Sequence, residues 1–368
     1  MYNELEVIQP IINWHKIKYK TFSKLIMNSR MEGNKVNMFI NLDSILNLFY
    51  TDKLIPAVHS LKHLENIVLT AEVINIIAHY RHFFWKSFNG VPTRFFIYSC
   101  NKVPKFSKKI NENYMSTYIK KIDEDNIRYG EVNKIINVNK ELLNLISLYV
   151  QDAYFIESNG LEPSLIPYKL INKYGTDKNI CNIIMTNDKY EYQLTNLKNT
   201  FIIRPRGDKS KIIGKEDIYN HKFKDIKYRP GNIISPRFYP FVLAMDGYKK
   251  RNIEKVKGYS FVKTMKLIET MIFDKRIKND KISNPDAYLF KDYLNDNQIE
   301  TLLNNLKCTD LGYLDKVIDD KLFDSKIKLI NRYDNKAIME LNSEYFPNNN
   351  IQLIELCEGV GLWNDEIM

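Results

Sequence analysis

Cysteine is scarce in this 368-residue chain, and the four present, Cys100, Cys181, Cys308 and Cys357, lie far apart with no CxxC spacing. That excludes a disulfide framework and a zinc ribbon as organising devices and favours a reducing, intracellular compartment. Glycine, proline and alanine are few while lysine, asparagine, isoleucine and tyrosine abound, a bias expected of an AT-rich genome such as that of a phage. There is no internal repeat or low-complexity tract, and no run of 18 or more uncharged apolar residues. Met1 to Pro10 has neither a basic nor an apolar leader pattern, so neither secretion nor membrane spanning is expected. What is present is a hydrophobic content of 44%, enough to bury the core of one large domain or two smaller ones. A net charge of +10 favours a polyanionic partner such as nucleic acid, against the plain alternative of a solvated basic surface.

Short apolar runs mark strands. Val36 to Leu42, Arg94 to Ser99, Ile180 to Thr186 and Thr200 to Arg204 read as buried strands, and helical patterns separate them over Ser44 to Leu48 and His59 to Phe88. Alternation of this kind predicts an α/β fold around a mostly parallel sheet, with chemistry at the carboxyl ends of the strands, where Asp43, Ser99 and Asp188 fall. Residues 1–35 read as an N-terminal helical extension and 36–275 as the main domain. Ser235 to Ile272 reads as helix, tight basic turn, helix. From 282 to 368 the pattern is a C-terminal helical extension, with helices over Tyr288 to Leu306, Leu311 to Phe323 and Ile351 to Glu358.

Three motif frames stand in order along the main domain. Asn182 to Leu194 (NIIMTNDKYEYQL) is an apolar strand running into Thr186, Asn187, Asp188 and Lys189, then Gln193 and Leu194. Gly160 to Leu170 (GLEPSLIPYKL) is a helix start carrying Glu162, with Ser164 and Leu165 after it. Leu243 to Ile268 (LAMDGYKKRNIEKVKGYSFVKTMKLI) carries Gly247, Asn252, Ile253, Val256, Gly258, Leu267 and Ile268 at fixed spacings, and ahead of all three FINLD ends in Asp43. Together, over about residues 36 to 270, they resemble the 5′ to 3′ exonuclease and flap endonuclease family, whose PIN-like fold carries a helix-three-turn-helix element.

That family gathers a cluster of aspartates and glutamates around two Mg²⁺ or Mn²⁺ ions, because paired metals activate water and stabilise the leaving oxygen in phosphodiester hydrolysis. On its frame, Asp43, Glu162 and Asp188 keep carboxylates, whereas Ser99, Ser164, Leu165, Tyr190, Tyr248 and Arg251 stand where acids belong; Asp246 is one residue early. Carboxylates left without metals would repel one another, and a guanidinium can satisfy two carboxylate oxygens at once but cannot generate hydroxide. Arg251 is thus expected to replace the metals, with no cofactor needed. The competing expectation is one ion held at Asp43 and Asp188 and a slow, metal-dependent nuclease.

Binding needs no acids. Lys249, Lys250, Lys255, Lys257, Gly258, Ser260 and Lys263 crowd the turn that the resemblance marks as a duplex-binding element, and Lys105, Lys108 and Lys109 sit where the family has its basic arch. DNA bound through its backbone is therefore the expected partner, with a protein partner on the two terminal segments. A structural subunit of a virion or polymerase assembly is the third expectation. The pairs His59/His63 and His79/His82 lack companions that would complete a metal site, and Phe83, Phe84, Trp85 and Phe88 read as core.

Overall fold

The apolar runs around Phe39, Phe96 and Ile183 are buried along their whole length, as strands are when helices cover both faces of a parallel sheet. The structure, a computed structural model, describes residues 35–42, 77, 80, 81, 84, 92–99, 104–114, 153–158, 160–204, 211–218, 234–278 and 287–330. Asp43, the expected terminal helices over 1–34 and 351–358, the helix 44–48, and most of 59–88 with its four histidines lie outside the described residues.

The strands are β1 (Lys35–Asn41), β2 (Thr93–Ser99), β3 (Ala153–Ser158), β4 (Ile180–Met185), β5 (Thr200–Arg204), β6 (Lys211–Ile213) and β7 (Ile327–Ile330). Their order across the sheet is β6-β5-β4-β1-β2-β3-β7. The five from β5 to β3 run parallel, and β6 and β7 close the two edges antiparallel. The α/β fold expected from the alternating pattern is the fold observed.

The described helices are α1 (Lys105–Ile110), α2 (Leu165–Tyr174), α3 (Tyr239–Asp246), α4 (Phe261–Phe273), α5 (Ala287–Phe290), α6 (Asp296–Thr309), α7 (Leu311–Val317) and α8 (Asp320–Lys326). In α4, Phe261, Thr264, Met265, Leu267, Ile268 and Met271 recur at three- and four-residue spacing and are buried, and Ser260 caps its start by accepting the Lys263 N–H. The helix, turn, helix pattern expected over 235–272 is therefore α3, a tight turn and α4.

Three features depart from the sequence reading. The single helix expected over 288–306 is broken at Asn295, which forms a reciprocal capping box with Gln298 at 3.0 Å in each direction. The helix expected over 311–323 is likewise broken at Asp319, whose carboxylate captures the Leu322 N–H at 2.7 Å. Finally, Ile327–Ile330 is a strand rather than helix, pairing from Phe155↔Ile330 to Ser158↔Ile327. An apolar stretch directly after a helical turn carries no break in its pattern, and only the open edge of β3 makes it a strand.

The helices after residue 287 pack into the same core as the sheet, and Phe290, Leu302, Leu311 and Phe323 join Phe39 and Tyr98 in one hydrophobic cluster. Lys169 on α2 ties down α7 and α8 through Asp315 at 2.7 Å and Asp320 at 2.8 Å. Asn305 on α6 donates to the carbonyls of Ala244 at 2.8 Å and Glu254 at 2.7 Å, bracing the helical hairpin from behind. Because a small apolar replacement would leave both carbonyls unsatisfied, Asn305→Ala is expected to cost about 2 kcal/mol in urea unfolding.

Candidate functional site

The chain builds β1, β2 and β3 outward in one direction, then returns to lay β4 and β5 on the other side of β1. At such a switch point the connections diverge and leave a crevice at the carboxyl ends of the two central strands. Asn41 ends β1 there, Asp188 and Glu191 follow β4, and Glu162 and Ser164 precede α2.

The hairpin turn closes over this crevice. Gly247 has φ +72°, and a Cβ there would lie 2.8 Å from both the Ile253 carbonyl oxygen and the Lys255 nitrogen, so only glycine fits. Tyr248 bridges back to Ile253, Lys249–Arg251 forms one turn of 3-10 helix, and Asn252 adopts the left-handed conformation. This tight path turns Arg251 inward, leaving it only 4% exposed.

Its guanidinium lies between two acids. Nη1 pairs with Glu162 Oε1, and Nη2 with Asp188 Oδ2 at 2.9 Å. Nη1 also donates to the Tyr114 hydroxyl at 3.0 Å and Nη2 to Ser164 Oγ at 3.4 Å. One face of the group lies 4.0 Å from the centroid of the Tyr190 ring, a cation–π contact in a dry environment. The second oxygens of the acids are also used, since Tyr114 donates to Glu162 Oε2 at 2.8 Å and Tyr248 to Asp188 Oδ1 at 2.5 Å. Tyr190 itself donates to the Cys308 carbonyl at 2.8 Å.

Burial acts to raise the Asp188 pKa, yet Arg251 and then Lys250, with hydrogen bonds from Tyr248 and the Tyr190 N–H, hold it below the ordinary carboxylate value. Burial acts against the Arg251 charge, and Glu162, Tyr114 and Asp188 outweigh it to hold the guanidinium firmly protonated. Tyr248 is pushed up by burial and by Asp188 and stays neutral. The result is a closed array in which each charge meets its opposite.

A third acid at the same site was missed in the sequence. Glu191 is fully buried, and its Oε1 accepts from Asn41 Nδ2 at 2.9 Å, the Tyr98 hydroxyl at 2.9 Å and Ser164 Oγ at 3.2 Å. Its signal was its place three residues after Asp188 in a 3-10 turn, a spacing that stacks side chains on one face.

Of the sequence-predicted residues, Glu162, Asp188 and Arg251 meet at one point. Asp43 lies outside the described residues, and the observed partners of Arg251 are Glu162 and Asp188. Lys249, Lys250, Lys255, Lys257, Gly258 and Lys263 are exposed on the hairpin, and Lys105, Lys108 and Lys109 on α1. Ser260 is half-buried as the cap of α4, Lys263 Nζ donates to the Gly258 carbonyl at 2.9 Å, and Asp246 faces Lys255 at 3.8 Å. Ser99 is buried at the end of β2.

Solved structures share this architecture. The bacteriophage T5 flap endonuclease, co-crystallised with metal ions, superposes with a TM-score of 0.52 at 13% identity over 79% of this chain and 98% of that one. A variant of the same T5 enzyme, a pseudo-enzyme–product complex with DNA and metal ions, gives 0.51 at 13% identity over 84% and 100%. The chain has the 5′-exonuclease and flap-endonuclease fold. No protein-family model and no curated protein matches the chain by sequence. A metal pair implied by this fold requires several uncommitted oxygen ligands at one point. Among the described residues no three metal-binding side chains converge, and Glu162 and Asp188 already hold a guanidinium, so this part of the site does not fit the pair.

Burial, and then the charge of Asp188, raise the Glu191 pKa from the ordinary 4.5 to about 7. The folded protein therefore keeps a proton that the unfolded chain has lost between these values, and stability falls as pH rises through that window. Asp188, lowered when folded, titrates below it. Chemical denaturation from pH 5 to 7.5 is expected to show a loss of about 2 kcal/mol that Glu191→Gln removes.

Proposed function

We propose that this protein binds the backbone of duplex DNA without reading its sequence and does not hydrolyse it efficiently. The observation that carries this reading is Arg251 bonded to both Glu162 and Asp188. A guanidinium can hydrogen-bond to two carboxylates at once but, unlike a divalent ion, cannot lower the pKa of a bound water or bridge the attacking and leaving oxygens.

Binding stands on other residues. The hairpin presents Lys249, Lys250, Lys255, Lys257 and Lys263 to solvent, beside the capped start of α4, where backbone N–H groups and the helix dipole favour a phosphate. Lys105, Lys108 and Lys109 add a second basic group on α1. The T5 variant of the same fold is a complex with DNA, which agrees with this assignment. Few cysteines and the AT-rich bias favour a phage-encoded protein working inside the host cell, with a protein partner assigned to its terminal segments.

Incubation with 5′-flap and nicked duplex DNA in Mn²⁺, followed by binding measurements in EDTA, tests the reading. No cleavage is expected. With four lysines on phosphates, affinity should fall about a hundredfold from 50 to 200 mM salt. Mn²⁺-dependent cleavage lost in Asp188→Ala would make the protein a nuclease with a reduced site. Neither cleavage nor binding would leave a structural role in an assembly.

A further inference from the structure

Arg251 pairs with two acids, but its bonds also reach well beyond them. They join the hairpin turn to three stretches distant in sequence: Tyr114 after α1, Glu162 and Ser164 before α2, and Asp188 after β4. Beside it in the turn are Lys249, Lys250 and Asn252. Two of these are exposed cations, and the third accepts a hydrogen bond from Asn111 Nδ2 at 3.1 Å on its carbonyl oxygen, bringing α1 against the same turn. Tyr248 adds its bond to Asp188.

The far side of the hairpin is held differently. There Asn305 binds the Ala244 and Glu254 carbonyls, and Gln298 Nε2 donates to the Lys257 carbonyl at 2.8 Å. The lysine array thus has two separate anchorages, the guanidinium for 248–252 and α6 for 254–257. Arg251, buried, cannot itself reach a phosphate.

We propose that Arg251 is a positioning residue for polyanion binding: by tying the hairpin turn and α1 to the strand ends, it sets the Lys249, Lys250 and Lys105–Lys109 side of the basic surface with no divalent ion. This rests on the DNA-binding reading above. Removing the guanidinium leaves two buried acids facing each other, so the turn lifts from the sheet while the side braced by α6 stays in place.

The test uses the full chain in EDTA, with a nicked duplex as the probe. Arg251→Met is expected to raise the Kd about tenfold or more, and to speed amide exchange at 248–253 and 161–164 while 254–258 keep wild-type protection. Arg251→Lys, which keeps the charge but not the fork, should fall between. Wild-type affinity in Arg251→Met overturns the proposal, as does loosening spread evenly over the hairpin. If Arg251→Met does not fold, the triple variant Glu162→Gln, Asp188→Asn, Arg251→Met removes the repulsion, and unchanged exchange at 248–253 in it is equally fatal. Should the wild-type protein fail to bind the duplex, the DNA-binding reading falls, while the exchange pattern still decides whether the tether exists.

Discussion

A single buried guanidinium sets the character of this molecule. Arg251 sits at the carboxyl ends of the central strands, where an α/β sheet collects its chemistry, and Glu162, Asp188, Tyr114, Tyr190 and Tyr248 are arranged around it. A buried carboxylate pair without a cation would be strained, and a buried guanidinium without acids equally so; each group is tolerable only because the others are present. The tyrosines extend this mutual dependence. Tyr190 offers a face to the cation, and Tyr248 takes the acid oxygen that the guanidinium leaves free.

The surrounding fold serves to hold that array in place. Gly247 permits the reversal that aims Arg251 inward, and α6 fixes the other side of the hairpin through Asn305 and Gln298. The helices that follow residue 287 are therefore part of the site's support. Gln193 shows how closely they are joined to it: its side chain donates to the Thr309 carbonyl and accepts from the Leu311 N–H, just beyond Asp188 in sequence.

Much of this was legible in the sequence, for physical reasons that differ from residue to residue. The central strands announce themselves because a strand buried on both faces is a continuous apolar run, as at Val36 to Leu42 and Ile180 to Thr186. Glu162, Asp188 and Arg251 could be placed at one site because the motif frames that carry them resemble those of a family whose acids gather at one point. Glu191 was harder to place, since its spacing from Asp188 points inward only if the segment is a 3-10 turn, and its partners Asn41 and Tyr98 are distant in sequence. Ile327–Ile330 was illegible for a related reason: its strand state comes from β3, 170 or so residues earlier, and not from its own pattern. Tyr114 reads as an aromatic among arch lysines, and only the folded chain brings it to Arg251.

The central claim is that a guanidinium occupies the place of divalent metal. Diffraction from crystals soaked in Mn²⁺, recorded for anomalous scattering, tests this most directly. The account predicts no manganese peak between Glu162 and Asp188, with the guanidinium bonded to both. Two manganese peaks there, with the Arg251 side chain displaced to solvent, would contradict it.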